Sequence, residues 1–259
     1  MPEDASPLVL ERVRHYTIGF AKPGGEPAAL GSGVLVRIGN VRGILTCAHV
    51  EAHLQKLGAV GVVGFSRPNA FQAATLDIGD AHTLVFGKPP WTKSDPDICF
   101  IILSPDQGAA LESRFIFLDG DLNLTKYHQP SPSDIIAHAV CGLVEEFSGP
   151  TVREAALVGT GLKAVLTPGR VIEANGHISL FECLESNIPD LPTSFGGTSG
   201  GGLWLVHLRA DADGNPEIVD IRLRGIASWE DLESAPPRII CQGLGRVALV
   251  IGTVREREG

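Results

Sequence analysis

The stretch SFGGTSGGGLW, Ser194 to Trp204, places five glycines within three positions of Ser199. A serine hydroxyl is a poor nucleophile at neutral pH and needs a base to take its proton and a third group to orient that base. Glycines beside it let the backbone turn sharply and let N–H groups converge where an oxyanion would develop. Three chemistries compete for such a loop. A phosphate cradle calls for a lysine after the glycines, where this chain has Leu203-Trp204. Gly197-Thr198-Ser199-Gly200-Gly201 also fits the G-x-S-x-G elbow, whose acid and histidine must follow the serine in that order. The only histidine after Ser199 is His207, with no Asp or Glu between them, so the elbow cannot be completed.

The remaining order is His, then Asp, then Ser, and two upstream stretches supply it. GILTCAHV reads as an apolar strand ending in His49, and DPDICFIIL puts Asp97 at the mouth of a run of six apolar residues. These blocks, Thr46-Cys47-Ala48-His49, Asp97-Ile98-Cys99-Phe100 and Gly197 to Gly201, resemble the three signature blocks of trypsin-like (chymotrypsin-fold) serine proteases. His49 and Asp97 lie 48 residues apart and Asp97 and Ser199 lie 102 apart, against roughly 45 and 90 in that family. The resemblance extends over about residues 30 to 250. GSGVLV, Gly31 to Val36, is similar to the strand before the histidine block, and VCGLVEEFSG, Val140 to Gly149, sits where a second barrel opens. GIASWE, Gly225 to Glu230, resembles the Ser-Trp-Gly strand that lines the substrate cleft.

The resemblance implies an all-β fold of two antiparallel six-stranded barrels with the active site in the cleft. It implies a His49-Asp97-Ser199 triad and an oxyanion hole from the N–H groups of Gly197 and Ser199. It places Ser228 beside Asp97, with Ser228, Trp229 and Glu230 along the bound peptide. Thr193 stands six residues before Ser199, where members that cleave after basic residues carry Asp, so the pocket floor is expected to be uncharged. Glu230 replaces the glycine of Ser-Trp-Gly, which either narrows the pocket toward small side chains or attracts a basic one from the rim. Thr198 takes the place of the Asp that anchors a freshly cut N-terminus, so activity is expected not to depend on N-terminal processing. A module that binds peptides without cutting them, and an esterase using the same triad, are the alternatives.

Organisation along the chain agrees with an all-β protein. Glycines (31) and prolines (18) punctuate short segments rich in Val, Ile, Leu and Phe. Hairpins are expected at Gly39-Asn40, at Asn175-Gly176 and near Asp213-Gly214-Asn215-Pro216. Residues 118–134, the least apolar part of the middle with two prolines among the last five residues, read as a linker between a first barrel, 1–117, and a second, 135–259. The closing GRVALVIGTVREREG reads as a short helix, against the propensity of its β-branched residues.

With 44% hydrophobic residues in 259, the chain can bury a sizeable core. A net charge of −9 argues against nucleic acid. The acidic start lacks a secretory pattern and no apolar run reaches membrane-spanning length, so a cytoplasmic protein is expected. Five widely spaced cysteines, Cys47, Cys99, Cys141, Cys183 and Cys241, read as buried thiols. His49 and His53 are spaced as two ligands on one helix face, but the H-E-x-x-H order and a third ligand are lacking, so no metal and no cofactor are expected. The expected partners are a protein or peptide substrate and a regulatory protein that restrains the enzyme.

Overall fold

The computed structural model describes residues 5–22, 29–64, 72–79, 81–126, 129–153, 156–183, 192 and 194–258. The first half runs α1 (Ser6–Val13), β1 (Thr17–Ala21), β2 (Ala29–Ile38), β3 (Val41–Thr46), α2 (Ala48–Gln55), β4 (Ala59–Gly64), β5 (Gln72–Asp77), β6 (His82–Phe86), β7 (Ile98–Ile102), α3 (Pro105–Glu112), the two-residue β8 (Leu118–Asp119) and α4 (Gly120–Thr125). The second runs β9 (Ile135–Arg153), β10 (Ala156–Ala174), β11 (Ile178–Cys183), β12 (Gly202–Ala210), β13 (Pro216–Asp231), β14 (Arg238–Gly243) and α5 (Leu244–Glu258).

All three expected hairpins form. Ile38 pairs with Val41 across Gly39-Asn40, and Ala210 pairs with Pro216 across the third turn. At the second, the Asn175 Oδ1 accepts from the N–H groups of His177 and Ile178 and closes the turn locally. The second half closes into a six-stranded barrel in the order β10-β11-β14-β13-β12-β9. The first half differs from a closed six-stranded barrel. Its strands follow the order β5-β4-β1-β2-β3-β7-β6, with β8 beside β2, and no ladder joins β5 to β6 among the described residues. Chain chemistry stops β6: Gly87 and the Pro89-Pro90 pair follow it, and proline has no N–H to give a ladder.

The segment expected to be a linker opens with structure. β8 pairs with β2, and Asp119 caps α4 by accepting from the Leu122 N–H at 2.9 Å. The Arg222 guanidinium on β13 then donates to the Leu122 carbonyl at 2.6 Å, tying this segment to the barrel.

The two halves share a core. One apolar cluster includes Val34, Ile44 and Phe100 of the first sheet, Trp204, Val206 and Ile226 of the barrel, and Val247, Val250, Ile251 and Val254 of α5. Those α5 positions recur at helical spacing along one face. Burial of that face overrides the weak propensity of its β-branched residues and gives a helix of 15 residues. A second cluster, including Phe181, Leu203 and Ile239, fills the barrel.

Candidate active site

His49 is not at a strand end. β3 stops at Thr46, extended Cys47 stands at the N-cap position without a side-chain capping bond, and His49 is the second residue of α2. The N–H groups of a helix's first turn have no intrahelical acceptor. Asp97 supplies one: its Oδ1 accepts from the His49 N–H at 3.0 Å, and its Oδ2 lies 2.6 Å from the His49 Nδ1. The helix start therefore fixes the carboxylate and the carboxylate fixes the ring. Asp97 sits just before β7, as the sequence suggests, and is fully buried, whereas the His49 side chain keeps 25% exposure. A proton on Nδ1 facing the carboxylate leaves Nε2 as the acceptor toward the cleft.

The Ser199 loop is built from both halves of the molecule. The Ser32 hydroxyl on β2 donates to the Gly197 carbonyl at 2.8 Å and accepts from the Leu143 N–H at 2.7 Å. The Ser32 N–H donates to the Ser199 carbonyl at 2.7 Å. Thr198 is buried, its hydroxyl donating to the Leu143 carbonyl at 3.2 Å. The N–H groups of Gly200 and Gly201 are also taken, by Ala227 and Thr198. Those of Gly197 and Ser199 donate to no acceptor among the described residues. Gly197 has a φ of 84°, a conformation open to glycine.

Ser199 and His49 line one cavity of about 140 Å³ with Phe195, Ala227, Trp229 and Ile239. That is a space for a single side chain, well below the size of a pocket for a whole small ligand. The Ser199 hydroxyl donates to the Ser228 carbonyl at 3.1 Å, and no hydrogen bond joins it to His49 among the described residues. Trp229 packs on the His49 ring with centroids 5.0 Å apart. The Glu230 carboxylate crosses the cavity wall, accepting from the Phe195 N–H at 2.6 Å and from the Ser194 hydroxyl at 3.5 Å. Glu146 accepts from the Ser194 N–H at 3.1 Å, so two glutamates latch the loop. Thr193 lies outside the described residues.

Ser228 and Asp97 are connected through a third residue that the sequence did not single out. The Gln242 Oε1 accepts from the Asp97 N–H at 3.1 Å, and its Nε2 donates to the Ser228 Oγ at 3.1 Å. Ser32, Gln242 and Arg246 carry no local motif. Ser32 falls in the quoted stretch GSGVLV and Arg246 in GRVALVIGTVREREG, where nothing marked the hydroxyl or the guanidinium.

The Cys47 Sγ, a His49 ring nitrogen and an Asp97 oxygen lie within 4.8 Å of one another, close enough for a metal. The thiol argues against it. Burial first, and then the Asp97 charge, push Cys47 well above the ordinary thiol range, and its S–H donates to the Ala227 carbonyl at 3.0 Å. A metal takes a thiolate. His53, exposed one turn along α2, does not join the three.

No protein-family model matches the chain, and no curated protein matches it in sequence. Solved structures similar to it include the serine endoprotease from Yersinia pestis, at 13% identity and a TM-score of 0.49, covering 97% of this chain and 65% of that one. Others are the active form of the Rv3671c protease from M. tuberculosis (13%, TM-score 0.47, 95% and 82% covered) and the scabies mite inactivated protease paralogue S-D1 (11%, 0.49, 93% and 92%). The group is of trypsin-like, chymotrypsin-fold serine proteases, one of them inactivated. Likeness at this level assigns no residue of this chain a role.

Proposed function

We propose that this chain is a serine endopeptidase acting through His49, Asp97 and Ser199. The observation that carries the reading is the 2.6 Å contact of buried Asp97 with His49 Nδ1, which leaves Nε2 to a cavity shared with Ser199. His49 takes the Ser199 proton as general base and returns it to the leaving amine as general acid, while Asp97 holds the tautomer and stabilises the imidazolium. The carbonyl carbon of the peptide bond becomes an acyl group on Ser199, which water then releases. The unclaimed N–H groups of Gly197 and Ser199 hold the oxyanion, at about 3 kcal/mol per donor.

A peptide lying along β13 as an added strand would offer its N–H to the Ser228 carbonyl. That carbonyl now holds the Ser199 hydroxyl. Docking thus frees the hydroxyl to turn toward His49. The neutral, hydrogen-bonded Thr198 supports activity without N-terminal cleavage. A cytoplasmic protease of this kind requires restraint, and a regulatory protein partner supplies it in this reading.

The resting direction of the Ser199 hydroxyl favours one competitor, a module that binds peptides without cutting them. A fluorophosphonate probe decides. Wild type labels, Ser199→Ala does not, and protein substrates gain new termini that depend on Ser199. Labelling without peptide cleavage points to an ester substrate. Folded wild type that neither labels nor cleaves overturns the proposal.

A further inference from the structure

Asp97 ends a turn whose preceding residues are held from α5. The Arg246 guanidinium, in the first turn of that helix, donates through Nη1 to the Asp95 carbonyl at 2.6 Å and through Nη2 to the Ser94 carbonyl at 3.0 Å. Nη1 also meets the Gln242 Oε1, the atom that takes the Asp97 N–H. With two donors at Oε1, the Gln242 amide has one orientation, and its Nε2 must face the Ser228 Oγ. The Ser228 hydroxyl sends its own proton to the Ile240 carbonyl at 2.9 Å. Gln242 and Arg246 are both buried.

We propose that Gln242 and Arg246 are positioning residues for the Asp97–His49 pair, clamping the Asp97 turn from the C-terminal helix. The proposal rests on the endopeptidase reading for its kinetic consequences, though not for its geometry. One hydrogen-bonded chain reaches both sides of the site. It holds Asp97 through its backbone N–H and holds Ser228, whose carbonyl carries the Ser199 hydroxyl. Helix packing alone does not account for a guanidinium here, because the neighbouring α5 contacts are apolar and a buried cation is costly to leave without partners. Burial pulls the Arg246 pKa down, and the charges of Asp95 and Asp97 oppose that pull. Arg246 is therefore electrostatically coupled to the carboxylate as well as hydrogen-bonded to its turn. The other titratable groups around the pair are Cys47 just before α2, Glu51 on α2, Cys99 on β7, Cys241 on β14 and Glu230 on β13.

The test uses Arg246→Met, Arg246→Lys and Gln242→Glu, with Arg255→Met as control, since Arg255 pairs with Asp121 farther along the same helix. Removing the cation, or adding an anion beside Asp97, favours the imidazolium. Arg246→Met and Gln242→Glu should then move the acid limb of kcat/KM upward by roughly half a pH unit. Arg246→Met should lower kcat about tenfold with little change in KM, and Arg246→Lys should restore the pH limb because the charge returns. The low-field proton resonance of His49 Nδ1–H should shift or broaden in Arg246→Met and not in Arg255→Met. Should Arg246→Met fail to fold, Gln242→Glu decides by the same limb and resonance. Folded variants with unchanged limb and resonance overturn the positioning role, including when Tm alone falls. If wild type neither labels nor cleaves, the endopeptidase reading fails and the resonance alone judges the clamp.

Discussion

Gly200 follows the candidate nucleophile with a φ of 91°. A Cβ there would stand 1.9 Å from the Ser32 carbonyl oxygen and 2.3 Å from the Thr46 Oγ1, both on strands of the first half. Backbone has to move to admit it. Gly176, at a φ of 82°, faces open space, with nothing within 4 Å of an added Cβ. Gly200→Ala should therefore cost more than ~2 kcal/mol and abolish probe labelling, whereas Gly176→Ala should cost about 1 kcal/mol and leave labelling intact. Chemical denaturation with the probe assay separates them, and equal losses would contradict the close packing behind Ser199. The glycine-rich loop and the short blocks around His49 and Asp97 were legible because each is local in sequence and their order is read straight off the chain. The partners that shape the loop were not. Ser32 reaches Gly197 over 165 residues, and Gln242 reaches Asp97 over 145, with no spacing rule to announce either.

The elements divide in the same way. Hairpins were legible because glycine and asparagine impose their turns on neighbouring residues alone. GILTCAHV reads as one strand running to His49 because it is mostly apolar and a short apolar run cannot by periodicity be told from buried helix, whereas the structure ends the strand at Thr46 and starts α2 at Ala48. The start of α2 is held by Asp97, the residue just before β7, which accepts the His49 N–H. β9 carries a different consequence. His138, half-buried there, has its pKa held below the ordinary value by burial first, and then by Arg224 and His207. The folded state binds that proton less readily than the unfolded chain. The stabilisation from neutral His138 is thus full above about pH 6.5 and is lost as pH falls through 6.5 toward the depressed folded value. Denaturant midpoints at pH 7.5 and pH 5 should differ less in His138→Asn than in wild type. An equal pH response in the two proteins would remove His138 from the account.

At the scale of the whole molecule, the shared core predicts cooperation. Residues of the first sheet, the barrel and α5 belong to one apolar cluster, and Arg222 pins α4 to the barrel. Thermal unfolding should show one transition, and fragments 1–117 and 135–259 made separately should fail to give native-like spectra. Two resolved transitions, or a folded fragment, would show instead that each half stands alone. By itself the sequence determined the β-rich pattern, the turns, and the residue types able to support acyl transfer, because these follow from local backbone preference and side-chain chemistry. Only the tertiary structure decided that the first sheet stays open among the described residues, that His49 opens a helix, and that the Asp97 turn hangs from α5. The last two depend on which buried donors find acceptors, and those partners lie far apart along the chain, 48 residues for His49 and Asp97 and 151 and 152 for Arg246 and its turn.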